Sequence, residues 1–407
     1  MAPGMTTRLY YTEPWRREFD AEVVDVTDVG GRRAVRLDRT AFYPTSGGQP
    51  FDTGTIGEAR VVDVTEDEAS GEVQHVIDGA VSVGDRVRGV IDWTRRFDHM
   101  QQHTGQHMLS AAFAHGHGVR TESFHLGADV STIDLAREVS ADEIATAEAE
   151  ANRVVWEDRP VAIRFVAEDE AARLPLRKQP VKSGRLRLIE VEGFDLSACG
   201  GTHVSRTGAI GIIAVRGWER FRGGSRLTFV CGRRALGALR ALRDSADGAA
   251  RQLTVHPDEL PAAVERLLVE RKETQRELRG YVERLARYQG EELAQGAERV
   301  GAVAIVVEAL EGYDANALKV VGTRLVREPG RIAVLFSRAR PALVIALRSG
   351  DVASVDCGAL VRELFARFGG KGGGRPDLAQ GGGLEASPDA LVTAARELVG
   401  LGRLPPG

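Results

Sequence analysis

The stretch DHMQQHTGQHMLSAAFAHG, Asp98 to Gly116, governs the reading of the whole chain. Met100, His103, His107, Leu109 and Phe113 recur at helical spacing, and Gly116 and Gly118 close the run. His103 and His107 stand four residues apart, so on a helix their imidazoles share one face and can grip one metal ion. His99 and His103 make the same interval, and an isolated pair of this kind is common without a metal. A second pair, Cys199 and His203 in ACGGTH, repeats the interval in a turn whose two glycines let thiolate and imidazole converge. The four together are a His3Cys set, the nitrogen and sulfur donors that suit zinc.

Before this helix the chain reads as β-rich. AVRLDRTAFYP, ARVVDVTED, GEVQHVIDG and DRVRGVIDW alternate or run apolar between Gly and Asp turns, which predicts a small barrel or sandwich over residues 1–92. TSGGQPFDTG, Thr45 to Gly54, is a Gly-rich loop between two of these strands. After the helix, HGVRTESFHLG and VSTIDLAR read as a hairpin. SADEIATAEAEANRVVWED reads as an amphipathic helix with Ser140 and Glu143 as a capping box. Short strands follow in VAIRFVA, GRLRLIEVE, AIGIIAVRG and SRLTFVCG, so residues 93–250 suggest one α+β sheet flanked by two helices.

Residues 251–299 turn helical and charged. Leu260, Val264, Leu267, Leu278, Tyr281, Leu285 and Tyr288 fall on a 4,3 repeat broken at Arg271 and Thr274, a coiled-coil or helical-hairpin pattern suited to a spacer or a dimer contact. Residues 300–407 read as a separate β–α–β–β unit with the helix VRELFARF, the tract GGKGGGRPDLAQGGG and a final helix SPDALVTAARELVG. The fold class is therefore α+β: an N-terminal β-barrel, an α+β metal-binding domain, a helical connector and a C-terminal α/β domain with a Gly-rich loop.

Composition narrows the function. The 43% hydrophobic and 28% charged content is that of a globular protein, and no stretch has the ~20 apolar residues needed to span a bilayer. MAPGMTTRLYYTEPWRREFD lacks the apolar core of a signal peptide, so a cytoplasmic location is expected. Three distant cysteines make no disulfide framework; Cys231 and Cys357 read as core fillers. A net charge of −4 argues against a general nucleic-acid coat but allows a local basic face. RLPLRKQPVKSGRLR and the run Arg216, Arg220, Arg222, Arg226 are such segments, though each alone is more often a solvated surface.

HTGQHMLS with ACGGTHVSRTGAIGII resembles the zinc-binding editing domain shared by alanyl-tRNA synthetases and the free-standing AlaX proteins. TSGGQPFDTG resembles the Gly-rich motif of the β domain that precedes it, and GGKGGGRPDLAQGGG resembles the C-terminal domain of alanyl-tRNA synthetases. The order matches the long AlaX form, and no stretch looks like a class II synthetase ATP site; GGKGGG is no Walker A loop. Threonyl-tRNA editing domains share both histidine pairs, and the C-terminal tract alone would suggest a phosphoesterase whose metal-binding half is missing.

The resemblance implies a hydrolase that deacylates mischarged tRNA(Ala), chiefly Ser-tRNA(Ala), at a Zn2+ site of His103, His107, Cys199 and His203. The alternative is a tRNA-binding or regulatory module with a structural zinc. Four protein ligands are the mark of a structural site, so if the site is hydrolytic either one donor is loose, with His203 the candidate, or zinc expands its coordination or merely holds the substrate. Thr121 is the match for the residue that separates serine from alanine, with Glu122 and Ser123 as rivals, and Gln106 joins it as a catalytic-site candidate. Gly47 and Gly48 either meet the tRNA end or are hairpin glycines. Arg177, Lys178, Arg222 and Arg226 are candidate phosphate contacts near the editing domain, and Lys371 and Arg375 in the C-terminal domain. That last domain is expected to hold tRNA or to mediate a homodimer, and the helical connector is the other candidate for the dimer contact.

Overall fold

A computed structural model describes residues 5–29, 31–67, 70–177 and 184–401. Lys178 lies outside the described residues. Two compact units divide at residues 249 and 250.

The first unit opens with a closed six-stranded barrel. Its strands are β1 (Glu18–Val29), β2 (Arg32–Leu37), β3 (Gly54–Ile56), β4 (Ala59–Glu66), β5 (Val73–Asp78) and β6 (Arg86–Ile91), joined in the order β1-β2-β5-β4-β3-β6. Val23, Val35, Leu37, Phe42, Ile56 and Val64 fill it. Alternating apolar residues drive closure, because a closed barrel buries one face and leaves no edge. The barrel is the first of the two β architectures that the strand pattern allows.

Helix α1 (Trp93–His117) follows at once. The Asp92 carboxylate accepts from Arg95 N–H at its start, and Gly118 at φ +63 ends it. Residues 99 to 113 are buried without a break, so this helix is enclosed on every side rather than amphipathic. Met100, Met108, Leu109 and Phe113 are fully buried, each contributing about 1.5–3 kcal/mol of burial.

Around α1 lie β7 (Thr121–Leu126), β8 (Ser131–Leu135), α2 (Ala141–Trp156), β9 (Val161–Val166), β10 (Leu186–Val191), β11 (Asp195–Ala198), β12 (Ile213–Phe221), β13 (Gly224–Cys231) and α3 (Arg233–Leu253). The β7–β8 hairpin and the Ser140–Glu143 capping box both form. A single sheet does not. The strands make two sheets, β12-β13-β8-β7 and β9-β10-β11, because β11, absent from the pattern reading, pairs with β10 and closes a separate three-stranded group. That group carries the ACGGTH turn out to the side of α1.

Gly105, in the middle of α1, is there for space. A Cβ at this position would sit 2.2 Å from Cys231 Sγ on β13. Alanine would gain about 1 kcal/mol of helix propensity but force apart two rigid elements, at about 1–3 kcal/mol. Gly105→Ala is expected to lower stability in urea unfolding; a stabilised variant would contradict this packing.

The second unit begins within α3. Its long helix α4 (Leu260–Gln295) is one continuous rod, not a helical hairpin. Val264, Leu267, Leu278, Tyr281, Leu285 and Tyr288 are all exposed on it. Beyond lie β14 (Glu298–Val300), β15 (Val303–Leu310), α5 (Ala315–Leu325), β16 (Arg331–Ser337), β17 (Ala342–Arg348), α6 (Cys357–Phe368), β18 (Lys371–Gly374), β19 (Leu378–Leu384) and α7 (Pro388–Leu398). One sheet runs β14-β15-β16-β17-β19-β18, with β15 and β16 parallel. Leu318, Val321 and Leu325 of α5 belong to one of its cores, and Val361 and Leu364 of α6 with Leu391 and Ala395 of α7 to the other. The Gly-rich tract corrects the expected loop: it is the antiparallel pair β18–β19 at the sheet edge. Glycine is accepted because Cβ atoms at Gly372, Gly374 and Gly381 would meet backbone on the facing strand within 2.7 Å.

Candidate metal centre

Helix α1 sets His103 and His107 one turn apart, and the turn after β11 brings Cys199 and His203 against them. The four ligand atoms lie within 4.8 Å of one another. His99 is not among them; it points elsewhere on α1, and burial together with Arg95, Arg234 and Arg96 holds its pKa at about 3. The paired intervals thus meet as the spacing suggested, and the His99–His103 alternative is excluded.

Hydrogen bonds fix which nitrogen each ring offers. His103 Nδ1 donates to Gln49 Oε1 at 2.8 Å, and His107 Nδ1 to Asp195 Oδ2 at 2.9 Å. Thr104 Oγ1 gives its one proton to Met100 O at 2.8 Å, so it accepts from His203 Nδ1 at 3.2 Å. All three rings therefore keep Nε2 free. Cys199 Sγ lies 3.4 Å from His103 Nε2 and 3.3 Å from His203 Nε2. Tetrahedral zinc, with Zn–N near 2.0 Å and Zn–S near 2.3 Å, puts nitrogen and sulfur about 3.5 Å apart. The donor set fits zinc. His203 is held as the other rings are, through a longer bond.

Burial would raise the Cys199 pKa, but the charges and hydrogen bonds of His103, His203 and His107 outweigh it and hold the thiol well below its ordinary value. Burial likewise opposes ionisation of Asp195, yet His107 and Arg177 keep its carboxyl below the usual range. Burial and His103 bring His203 down to about 3, so that ring stays neutral and ready to ligate. Arg187, on β10, donates to Cys199 O at 2.6 Å and Gly201 O at 2.9 Å and so pins the turn. A Cβ on Gly201 would lie 2.2 Å from His103 Cε1, so the motif's second glycine gives the ring its seat.

His103, His107 and Cys199 open into a cavity of about 610 Å³, also lined by Gln106, Thr121, Phe124, Tyr11 and Phe165. Thr121 Oγ1 and Ser110 Oγ are 2.7 Å apart, and Gln106 Nε2 donates to the same Ser110 Oγ at 2.8 Å. The rivals Glu122 and Ser123 also line the cavity, but the Ser123 hydroxyl donates to Asp134 at 2.6 Å.

The candidate tRNA contacts are scattered. Gly47 lines the cavity; Gly48, at φ +84, lies so close to Phe124 that a Cβ would fall 2.9 Å from its ring. Arg177 lines the cavity too, with its guanidinium bound to Asp195, the partner of His107, at 2.7 Å. Arg226 pairs with Asp134 at 2.6 Å over the Phe221 ring, and Arg222 lies beside that ring at the β12–β13 turn. Lys371 is exposed on β18, and Arg375, between β18 and β19, faces Asp377 at 3.5 Å. Gln49, Asp195, Ser110, Thr104 and Arg187 escape the sequence reading as site residues. Gln49 stands inside the quoted TSGGQPFDTG, Thr104 and Ser110 inside HTGQHMLS, and Arg187 at the end of RLPLRKQPVKSGRLR; Asp195 carries no local signal.

Family models match three segments of this architecture. Residues 11–95, around the barrel, match tRNA synthetases class II (A); residues 186–227 match the threonyl and alanyl tRNA synthetase second additional domain; residues 302–400 match the DHHA1 domain. The fold and site thus define a module of the synthetase editing type. The alanine–tRNA ligase of Pyrococcus abyssi is 35% identical over 92% of this chain and 42% of its own length. That of Methanoregula boonei is 36% identical over 97% of this chain and 43% of its own. This chain spans less than half of either ligase. The alanyl-tRNA editing protein AlaX-L of Pyrococcus horikoshii is 32% identical over 97% of this chain and 98% of its own length. The chain belongs to the AlaX family of alanyl-tRNA editing proteins, in its long form. Among solved structures, the C-Ala domain from Aquifex aeolicus alanyl-tRNA synthetase is 25% identical, over 25% of this chain and 96% of that one, with a TM-score of 0.24.

Proposed function

We propose that this protein hydrolyses the ester that joins serine to the terminal ribose of mischarged tRNA(Ala), with zinc held by His103, His107, Cys199 and His203. The observation that carries the reading is that three of these donors share a cavity with a Thr121–Ser110–Gln106 hydrogen-bond chain. About 610 Å³ exceeds what a seryl group fills and suits a small-molecule-sized ligand. The remaining space, beside Tyr11, Tyr43 and Phe165, takes the ribose and base.

Bound zinc supplies Lewis acidity toward the ester. The chain's own residues do the rest. Thr121 offers a hydroxyl to the serine side chain, and Gln106 with Ser110 holds that hydroxyl in place. Cys199, committed to the ion, is not a nucleophile, so the acyl group passes to water rather than to the enzyme. Exposed Lys371 and Arg375 meet the tRNA backbone, which makes binding salt-dependent. A homodimer through α4 or the C-terminal domain belongs to this reading, supported by the exposed apolar stripe of α4. So does a cytoplasmic location; among the described residues no helix is long and apolar enough to cross a membrane.

The test is deacylation of Ser-tRNA(Ala) and Ala-tRNA(Ala) before and after chelation. Turnover of the seryl ester that chelator abolishes and zinc restores supports the enzyme. Four protein donors favour one other reading, a structural zinc in a tRNA-binding module, and binding without turnover would establish it. Thr121→Val removes a half-buried hydroxyl partner worth about 1–3 kcal/mol, so the serine-over-alanine ratio of kcat/KM should fall about ten- to hundredfold. An unchanged ratio removes Thr121 from the scheme.

A further inference from the structure

The barrel loop and the metal centre are chemically joined through one side chain. Gln49 is fully buried and belongs to no site that spacing or resemblance assigns. Its Oε1 accepts from Thr202 N–H at 3.0 Å and lies 2.8 Å from His103 Nδ1. Because a backbone N–H can only donate, the atom facing Thr202 N is the amide oxygen, and His103 Nδ1 must carry the hydrogen. Gln49 Nε2 then donates to Thr202 Oγ1 at 2.8 Å. One amide thus holds a ring of α1 and the turn that presents Cys199 and His203.

The loop that carries it is anchored on both sides. Gly48 O accepts from Leu126 N–H at 3.1 Å on β7. Asp52 binds the buried Arg96 of α1, and its carboxylate also accepts from Tyr43 N–H at 2.6 Å. Arg96 and His103 are seven residues apart, on one face of the helix, so the loop grips α1 at two points.

We propose that Gln49 is a positioning residue of the metal centre: it fixes His103 in the tautomer that leaves Nε2 free to ligate, and it locks that ring to the Cys199–His203 turn. The inference rests on the zinc reading of the four donors and not on the identity of the substrate. Groups hydrogen-bonded behind a ligating imidazole orient it and set its basicity, and losing one weakens metal binding by about 10- to 100-fold. His107 has a carboxylate in that place, Asp195, whereas His103 has a neutral amide, so the two rings of α1 are tuned differently.

The experiment uses the full chain and the metal alone. Zn2+ affinity is measured by competition with a chromophoric chelator for wild type, Gln49→Met and Gln49→Glu. Methionine keeps the volume but offers no strong acceptor; glutamate keeps the acceptor. Gln49→Met should bind zinc about 10- to 100-fold more weakly, and Gln49→Glu should recover most of that loss. In zinc-loaded wild type, long-range 1H–15N correlation on histidine-labelled protein should show His103 protonated at Nδ1, a readout that stands even if Gln49→Met fails to fold. Equal affinity for Gln49→Met and wild type, no recovery in Gln49→Glu, or a His103 ring ligating through Nδ1 would each overturn the proposal. Wild-type protein that binds no zinc would instead overturn the metal reading beneath it.

Discussion

Cys199→Ala protein is expected to fold, to emerge from gel filtration without stoichiometric zinc, and to lose turnover of Ser-tRNA(Ala). A structural-type zinc site supplies about 10–16 kcal/mol, and one of four donors accounts for about a quarter of it, so affinity should drop by on the order of 10²- to 10³-fold. The histidines cannot compensate, since His103, His107 and His203 already occupy the other positions and are pinned through Nδ1 by Gln49, Asp195 and Thr104. Cys199 itself lies at a turn held by Arg187, which alanine leaves in place. Metal analysis beside a deacylation assay reads the result. Full zinc content would remove Cys199 from the site; zinc lost with turnover kept would make the ion structural.

Asp52→Ala should cost about 3–5 kcal/mol of stability, the largest loss foreseen for a single change outside the donors. Arg96 and Asp52 are both wholly buried. Without the carboxylate the guanidinium keeps Pro14 O at 2.7 Å and Ala41 O but has no counter-charge, and Tyr43 N–H loses its acceptor. A buried pair is costly to break yet not always costly to replace, so a double change of Arg96→Met with Asp52→Leu should regain much of the loss. Urea unfolding of the three proteins decides the matter. A loss below about 1 kcal/mol in the single variant would mean that water reaches Arg96 and satisfies it.

The cluster of four candidate donors was legible in the sequence because each pair is local. Two residues four apart on a helix, or across a two-glycine turn, converge whatever the rest of the chain does, and sulfur with nitrogen narrows the ion. The barrel was legible for a like reason, since short alternating strands have few ways to bury one face. What supports the donors was not. Gln49 reaches His103 across 54 residues and Asp195 reaches His107 across 88, and both are common residue types whose role exists only once the chain is folded. The same holds for sheet membership, because β11 is the short, half-polar tetrapeptide DLSA, which carries no strand pattern until it pairs with β10. Helix α3 carries Leu236, Leu239 and Leu242 at helical spacing, but Gly237 and Gly248 dilute that signal. Arg177 shows the same limit, because a basic segment is read by its charge, and its pairing with Asp195 exists only in the fold.

The double grip of the barrel loop on α1 bears on how this protein can be taken apart. The change of periodicity at residue 92 looks like a natural seam, and a shortened protein starting at Trp93 would keep every donor atom. It would also leave Arg96 without its counter-ion and His103 without its backing amide. Trimming for crystallography or for grafting onto another scaffold is better done with the first 92 residues kept, since they serve as the backplate against which the donor helix is aligned.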